Sequence, residues 1–235
     1  MKKYRNLFID LDDTLYDFSA AARESFNEAY NKLGYPRYFN SFEEYMQIYS
    51  PYNLELWAQY GRGEISKEEL NRRRFNYPLE QKGVYDKELA AQFQEISLKL
   101  IPTKDKLIPY AKELLEYLSP KYNLYILSNG FQELQEHKMQ TSGIRHYFKE
   151  LILSDHIGIN KPRRELFEYA LKTTNSKLEE SIMIGDMFET DIVGAHNIGM
   201  DQIFVNLKNV KEKDFTPTFE VCNLKDIENM RVTQK

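Results

Sequence analysis

The chain has 235 residues, 42% of them hydrophobic and 29% charged, with a formal net charge of -4. That length supports one large or two smaller domains, and the mild acidity excludes a general attraction to nucleic-acid polymers or anionic membranes. Cys222 is the single cysteine, which rules out an internal disulfide and argues against a cysteine zinc site; no apolar run is long enough for a signal peptide or a membrane span, so a cytoplasmic protein is expected.

An apolar stretch from Leu7 to Ile9 reads as a buried strand, and it ends in Asp10, Asp12 and Asp13, with Thr14 next. In open α/β sheets the carboxyl ends of strands are where ligands bind. Asp10 and Asp12 flank one apolar residue, so on a strand entering a tight turn their side chains converge on one small ligand. Such a pair suits nucleophile plus acid–base chemistry. The plainer reading is an acidic turn.

From Tyr16 to about Thr103 the pattern is helical throughout. Phe18, Ala22, Phe26, Ala29 and Leu33 line one helix face, closed by Gly34. Ser41-x-x-Glu44 and Ser66-x-x-Glu69 are capping boxes that open two helices. A separate helix is expected over Leu54 to Tyr60, stopping at Gly61-Arg62-Gly63, and a last one from Asp86 to Pro102. About half of the aromatic residues lie in this stretch.

Strands then alternate with helices. Pro109 is placed in the first turn of a helix to Leu118, and Tyr122 to Leu127 is a strand ending in Ser128-Asn129-Gly130. Next come a helix through Met139, a strand at Leu151 to Leu153 and a loop to Lys161-Pro162, with Pro162 read as a first-turn residue. Further on come a helix over Glu165 to Thr173 and a strand at Ile182 to Ile184 ending in Gly185-Asp186. A helix from Glu189 to Gly199 and strands at Gln202 to Val205 and Glu220 to Cys222 complete the series. Val232 to Lys235 are expected to fray. The fold class expected is α/β: a doubly wound, mostly parallel, Rossmann-like sheet built from residues 1–15 and 104–235, with an all-helical cap of residues 16–103 inserted after the first strand.

Three more strand ends carry suggestive residues. Ser128-Asn129-Gly130 offers a hydroxyl and backbone N–H groups to an anion, although it is equally a good turn. Lys161 alone reads as a solvated loop residue. Gly185-Asp186-x-x-x-x-Asp191 is more specific, because helix capping accounts for only one of its two aspartates. If the sheet gathers Asp10, Asp12, Asp186 and Asp191, each carboxylate pair about 4 Å apart costs roughly 4 kcal/mol at an effective dielectric near 20. A few such pairs approach the whole stability of a domain, so the site must hold a cation, raise pKa values, or both. Oxygen ligands alone suggest Mg2+, with Lys161 adding positive charge.

Together these four motifs, in order and spacing, resemble the haloacid dehalogenase-like (HAD) hydrolase superfamily over essentially the whole chain, the helical insertion being similar to that family's cap. The resemblance implies that Asp10 is a nucleophile forming an aspartyl phosphate and that Asp12 is the general acid, then the base. It implies phosphate binding by Ser128 and the backbone around Asn129 with Thr14 in support, and a Lys161 that orients Asp10. The metal set it implies is Asp10, the Asp12 carbonyl, Asp186 and Asp191. Asp13 stands where the family often has glycine. Dehalogenases of the superfamily lack an acid at the position of Asp12, so phosphoryl transfer is expected.

The branch most similar is that of pyrimidine nucleoside 5′-monophosphatases, with a small phosphorylated metabolite as partner and a monomer or homodimer as assembly. The cap is expected to close over the site and choose the substrate, with Trp57, Tyr60 and Arg62 facing a nucleobase or second anion, or else serving as cap core and surface. His137, His146, His156 and His196 show no metal-ligand spacing. The alternatives are a sugar-phosphate phosphatase or mutase and, outside enzymes, a phosphoaspartate switch or binding module. A catalytically silent scaffold would leave the cost of the aspartate cluster without benefit.

Overall fold

Four consecutive buried residues, Asn6–Ile9, form β1, and burial on both faces is what a central parallel strand requires. The computed structural model describes residues 4–230. β1 lies between β2 (Asn123–Ser128) and β4 (Ser181–Gly185), parallel to both, with Ile9 opposite Ile126 on one side and Ile184 on the other. β3 (Glu150–Leu153) flanks β2; β5 (Asp201–Val205) and β6 (Phe219–Val221) extend the sheet beyond β4. The order β3-β2-β1-β4-β5-β6 reverses direction between β1 and β4. That reversal is the topological switch point, where the crevice outside the strand ends opens.

The described residues divide into two compact units: those up to Phe18 together with those from Asp105 onward, and Ser19–Lys104. In the sheet unit, Ala111, Leu114, Leu115 and Leu118 give α5 (Ala111–Leu118) one buried face. α7 (Arg164–Thr173) inserts Leu166, Phe167 and Ala170 against Phe8, Tyr125 and Met183 of the sheet. α6 (Gln132–Thr141) comes after β2, and α8 (Val193–Asn197) continues from a π-helical stretch, Phe188–Ile192.

The second unit is helical. α1 (Phe18–Lys32) enters it, and α2 (Phe42–Gly61), α3 (Lys67–Glu80) and α4 (Lys87–Leu100) pack in sequence. Ser41, Ser66 and Asp86 cap the last three, each side chain accepting a backbone N–H three residues on. Glu44 closes its box one residue early, accepting from the Asn40 N–H at 2.6 Å. The core is a cluster of rings: Phe26 meets Tyr49, Phe75 and Phe93 edge-on at 5.1 to 5.9 Å.

Several expected boundaries move. The two helices expected over 41–60 are one, α2, running through Pro51. Proline inside a helix costs about 3 kcal/mol; Tyr45 and Tyr49 before it and Leu56 after it are buried on a continuous face, which offsets that cost. Pro109 precedes α5 by two residues, because Tyr110 takes a left-handed conformation (φ 73°) at the helix entrance. Pro162 likewise stands before the N-cap Arg163, not inside α7. The expected fraying of Val232 to Lys235 lies outside the described residues.

Candidate active site

The site is assembled from the segments that leave the carboxyl ends of β1, β2 and β4, with Lys161 reaching in from the loop before α7. The Asp10 N–H donates to the Ile184 carbonyl at 2.9 Å, carrying the β1–β4 ladder one step past the strand. The chain then turns sharply: the Asp13 N–H donates to Tyr16 O at 2.7 Å, and Asp13 sits at φ 58°. This left-handed position explains why glycine suits it, and aspartate is among the side chains that tolerate it. The turn brings Thr14 Oγ1 to Asp186, accepting from its N–H at 3.0 Å and donating to Oδ1 at 3.1 Å.

Beyond β4, a Cβ on Gly185 would fall 2.2 Å from Asp191 Oδ2. Only glycine lets that carboxylate approach the strand end so closely. Asp191 is fully buried, held by the Met187 N–H at 3.1 Å and by Lys161 Nζ at 2.7 Å. Lys161 is also buried, and its ammonium spends all three protons: on Asp191, on Asp10 Oδ1 at 2.6 Å and on the Leu127 carbonyl at 2.8 Å. Asn129 anchors its backbone, accepting from the Lys161 N–H at 2.7 Å and donating to its carbonyl at 3.1 Å.

Asp10, Asp186 and Asp191 each turn a carboxylate oxygen into one cluster, all within 4.8 Å of one another. Burial pushes the Asp10 carboxyl well above the usual carboxylate range; Lys161 opposes this, and Asp191, Asp186 and Asp12 add to it. Burial likewise lifts Asp186 from 3.8 to about 6, reinforced by Asp191 and opposed by Lys208. For Lys161 burial disfavours the charge, but Asp10 and Asp191 outweigh it and its pKa rises. Three carboxylates against one buried ammonium, with the exposed Lys208 3.5 Å from Asp186, leave negative charge in excess, and the raised acids are the symptom. A hard divalent cation fits that donor set and that charge.

The sequence-derived residues separate into groups. Asp10, Lys161, Asp186 and Asp191 are brought together. The Asp12 carboxylate is not part of the cluster: Oδ1 accepts from Lys138 Nζ at 2.7 Å and Oδ2 from Gln135 Nε2 at 2.9 Å. Ser128 Oγ accepts from the Gly130 N–H at 3.1 Å and from Gln135 at 2.8 Å, which leaves its own hydrogen to donate. Thr14, expected in support of a phosphate, has its side chain committed to Asp186, and Asn129, expected there through its backbone, has its side chain committed to the Lys161 backbone. In the helical unit, half-buried Trp57 meets Tyr60 edge to face at 5.7 Å, and exposed Arg62 pairs with Glu64. His196 stacks on Phe215 at 4.0 Å.

Three residues escaped the sequence reading. Two of them, Gln135 and Lys138, are buried at 0% and 2% exposure on α6. The third is Lys208, its Nζ 3.5 Å from carboxylate oxygens of both Asp13 and Asp186. The signal available for the first two was polar residues three apart on the helix face that also buries Met139.

The family model of haloacid dehalogenase-like hydrolases matches residues 4–199. The chain is 29% identical to the HAD-hydrolase YfnB of Bacillus subtilis over 97% of this chain and 95% of that protein. It is 29% identical to the pyrimidine 5′-nucleotidase YjjG of Escherichia coli, over 97% of this chain and 98% of that one. A glyceraldehyde 3-phosphate phosphatase of Methanothermobacter thermautotrophicus is 31% identical over 85% of this chain and 84% of its own. The crystal structure of YfnB, bound to magnesium, superposes with a TM-score of 0.87 at 26% identity, covering 97% of this chain and 98% of that one.

Proposed function

The chain belongs to the haloacid dehalogenase-like hydrolase family, and from that premise we propose that it is a Mg2+-dependent phosphomonoesterase working through an aspartyl phosphate on Asp10. The observation that carries this reading is the buried carboxylate cluster of Asp10, Asp186 and Asp191 around Lys161 at the ends of β1 and β4.

Lys161 holds Oδ1 of Asp10, while among the described residues Oδ2 has only a 3.5 Å approach from Thr14 Oγ1, so Oδ2 is the oxygen that attacks phosphorus. The bond from phosphorus to the leaving oxygen breaks, and Asp12 delivers a proton to that oxygen. In the second half Asp12 takes a proton from water as that water attacks the phosphoryl phosphorus, freeing phosphate and Asp10. Ser128 donates its remaining hydrogen to a phosphoryl oxygen. Asp10, Asp186 and the Asp12 backbone carbonyl would hold the metal, with Asp191 acting through Lys161. When bound, Mg2+ supplies the positive charge that lets the carboxylates and the phosphoryl oxygens share one site.

We take the substrate to be a small phosphorylated metabolite, a pyrimidine nucleoside 5′-monophosphate first. The end-to-end similarity to YjjG supports the nucleotide, and the phosphatase relative makes a triose phosphate the second choice. A monomer or homodimer without a nucleic-acid polymer or membrane partner, working in the cytoplasm, completes the proposal. No helix among the described residues is long and apolar enough to cross a membrane.

The test is phosphate release from a panel of nucleotides, sugar phosphates and an aryl phosphate, in Mg2+ and in EDTA. Asp10→Asn should abolish release on every substrate, a loss of about 10⁴-fold or more, with circular dichroism unchanged. Near wild-type turnover by Asp10→Asn sinks the nucleophile assignment. A long-lived phosphoenzyme points to the switch reading, and a rearranged sugar phosphate to a mutase.

A further inference from the structure

Gln135 and Lys138 are buried polar residues that none of the four strand-end motifs contains. They lie three apart on α6, one turn along the same face. Lys138 Nζ donates to Asp12 Oδ1 at 2.7 Å and to Gln135 Oε1 at 2.8 Å, and it stands 4.6 Å from the ring centre of Phe18. With its carbonyl held by Lys138, the Gln135 amide must present its NH2 to the other side. There it meets Asp12 Oδ2 at 2.9 Å and Ser128 Oγ at 2.8 Å. Both oxygens of Asp12 are thereby held, and the same amide sets the Ser128 hydroxyl.

The surroundings are built for this contact. A Cβ on Gly130 would fall 2.1 Å from Gln135 Nε2, so the glycine after Asn129 admits the amide. Burying an ammonium carries a desolvation penalty that a fold bears only with good compensation. Here the compensation is Asp12, whose own side chain is 28% exposed and is therefore not what demands a buried partner. For packing alone an apolar residue in place of Lys138 would serve as well.

We propose that Lys138 and Gln135 are positioning residues for Asp12: each gives one hydrogen bond to one of its oxygens, leaving that oxygen a second lone pair for the proton transferred, and together they aim the carboxyl group at the leaving oxygen and couple that aim to the hydroxyl of Ser128. This rests on the phosphomonoesterase reading above. Neither residue touches the reacting atoms, and each acts through a side chain that does.

Leaving-group dependence tests it. An alkoxide needs a proton to depart and an aryl oxide hardly does, so kcat/KM for an alkyl phosphate depends on the aim of Asp12 far more than kcat/KM for p-nitrophenyl phosphate. For Lys138→Met the ratio of the two values should shift by about 10–100-fold against the alkyl substrate. In an Asp12→Asn background the same substitution should add little, because the group it aims is gone. Gln135→Met removes the donor to Oδ2 and should shift the ratio in the same direction.

Folded variants that lose both activities equally, or neither, overturn the proposal. So does an undiminished Lys138→Met effect in the Asp12→Asn background. Should Lys138→Met fail to fold, Gln135→Met carries the test, and failure of both assigns the pair to stability and overturns it too. Absence of phosphate release by the wild-type enzyme from either substrate is a different result, striking the phosphomonoesterase reading itself.

Discussion

In the sheet unit the buried charges of Asp10, Asp191, Lys138 and Lys161 all find an opposite charge between 2.6 and 2.7 Å away. In the helical unit the buried guanidinium of Arg74 meets the side-chain oxygens of Asn71 and Asn53 and the rings of Trp57 and Phe75 instead, and its Nε is unpartnered. The hydroxyls of Tyr35 and Tyr45 are buried without a hydrogen bond as well. Cohesion there comes from rings, with Phe93 in contact with Tyr35, Tyr45, Phe26 and Phe75 at centroid distances of 4.8 to 5.9 Å. One unit is held at its working end by charge, which pH and ions can change. The other is held mainly by the burial of rings, which pH changes far less.

The sharpest way to break this contrast is to remove one central side chain from each unit. Lys161→Met strips the ammonium from between Asp10 and Asp191 and should cost about 3–5 kcal/mol, as the loss of one partner from a buried ion pair does. The cost should be larger at pH 8 than at pH 5, where protonation of the carboxylates relieves the excess charge. Phe93→Ala should cost a similar amount, about 3–5 kcal/mol, as a cavity in the ring cluster. Its cost should be the same at both pH values and indifferent to Mg2+. Urea unfolding at the two pH values measures both, and a pH-independent loss in Lys161→Met would erase the distinction.

A smaller effect comes from Asp186, lifted to about 6 in the fold. A carboxyl whose folded pKa is raised favours folding below its unfolded pKa, and that contribution disappears as pH rises through the folded value. In EDTA, Asp186→Asn should therefore match the wild type near pH 4. Above pH 6 it should become more stable, by at most about 3 kcal/mol, the free energy of a lift from 3.8 to 6. Adding Mg2+ should reverse the order, raising the Tm of the wild type and leaving the variant unmoved. A variant less stable than wild type in EDTA at pH 8 would contradict the account of the cluster as excess negative charge.

The smallest expected effect belongs to Arg62. Its exposed pairing with Glu64 is the kind of contact that water and salt screen. Arg62→Ala should leave the Tm unchanged within error, and any effect should appear in KM alone. A fall in Tm would show that charge matters to the helical unit after all.

Much of the site is legible in the chain because its parts are local. An apolar run that stops at a carboxylate marks a strand end whatever lies beside it, and Asp10, Ser128 and Asp186 each stand at the end of their own strand. Gly185 and Asp191 are bound by a short-range requirement, the space a Cβ would occupy. The helix caps at Ser41, Ser66 and Asp86 are equally local, which is why they hold. Pro51 is different: its local signal is a break, and the burial of Tyr45, Tyr49 and Leu56 overrode it.

The sequence by itself determined the alternation of strands and helices, the helical insertion and the chemistry waiting at each strand end, since hydrophobic period and turn chemistry act over a few residues. Only the tertiary structure decided that β4 lies beside β1, so that Asp186 meets Thr14 across 172 positions of chain. It alone turned the face of α6 toward Asp12, 126 positions from Lys138. A lysine on a helix has nothing in its neighbours to distinguish it from a solvated one. What makes it buried and paired is the order of the strands, and that order is settled by packing over the whole sheet.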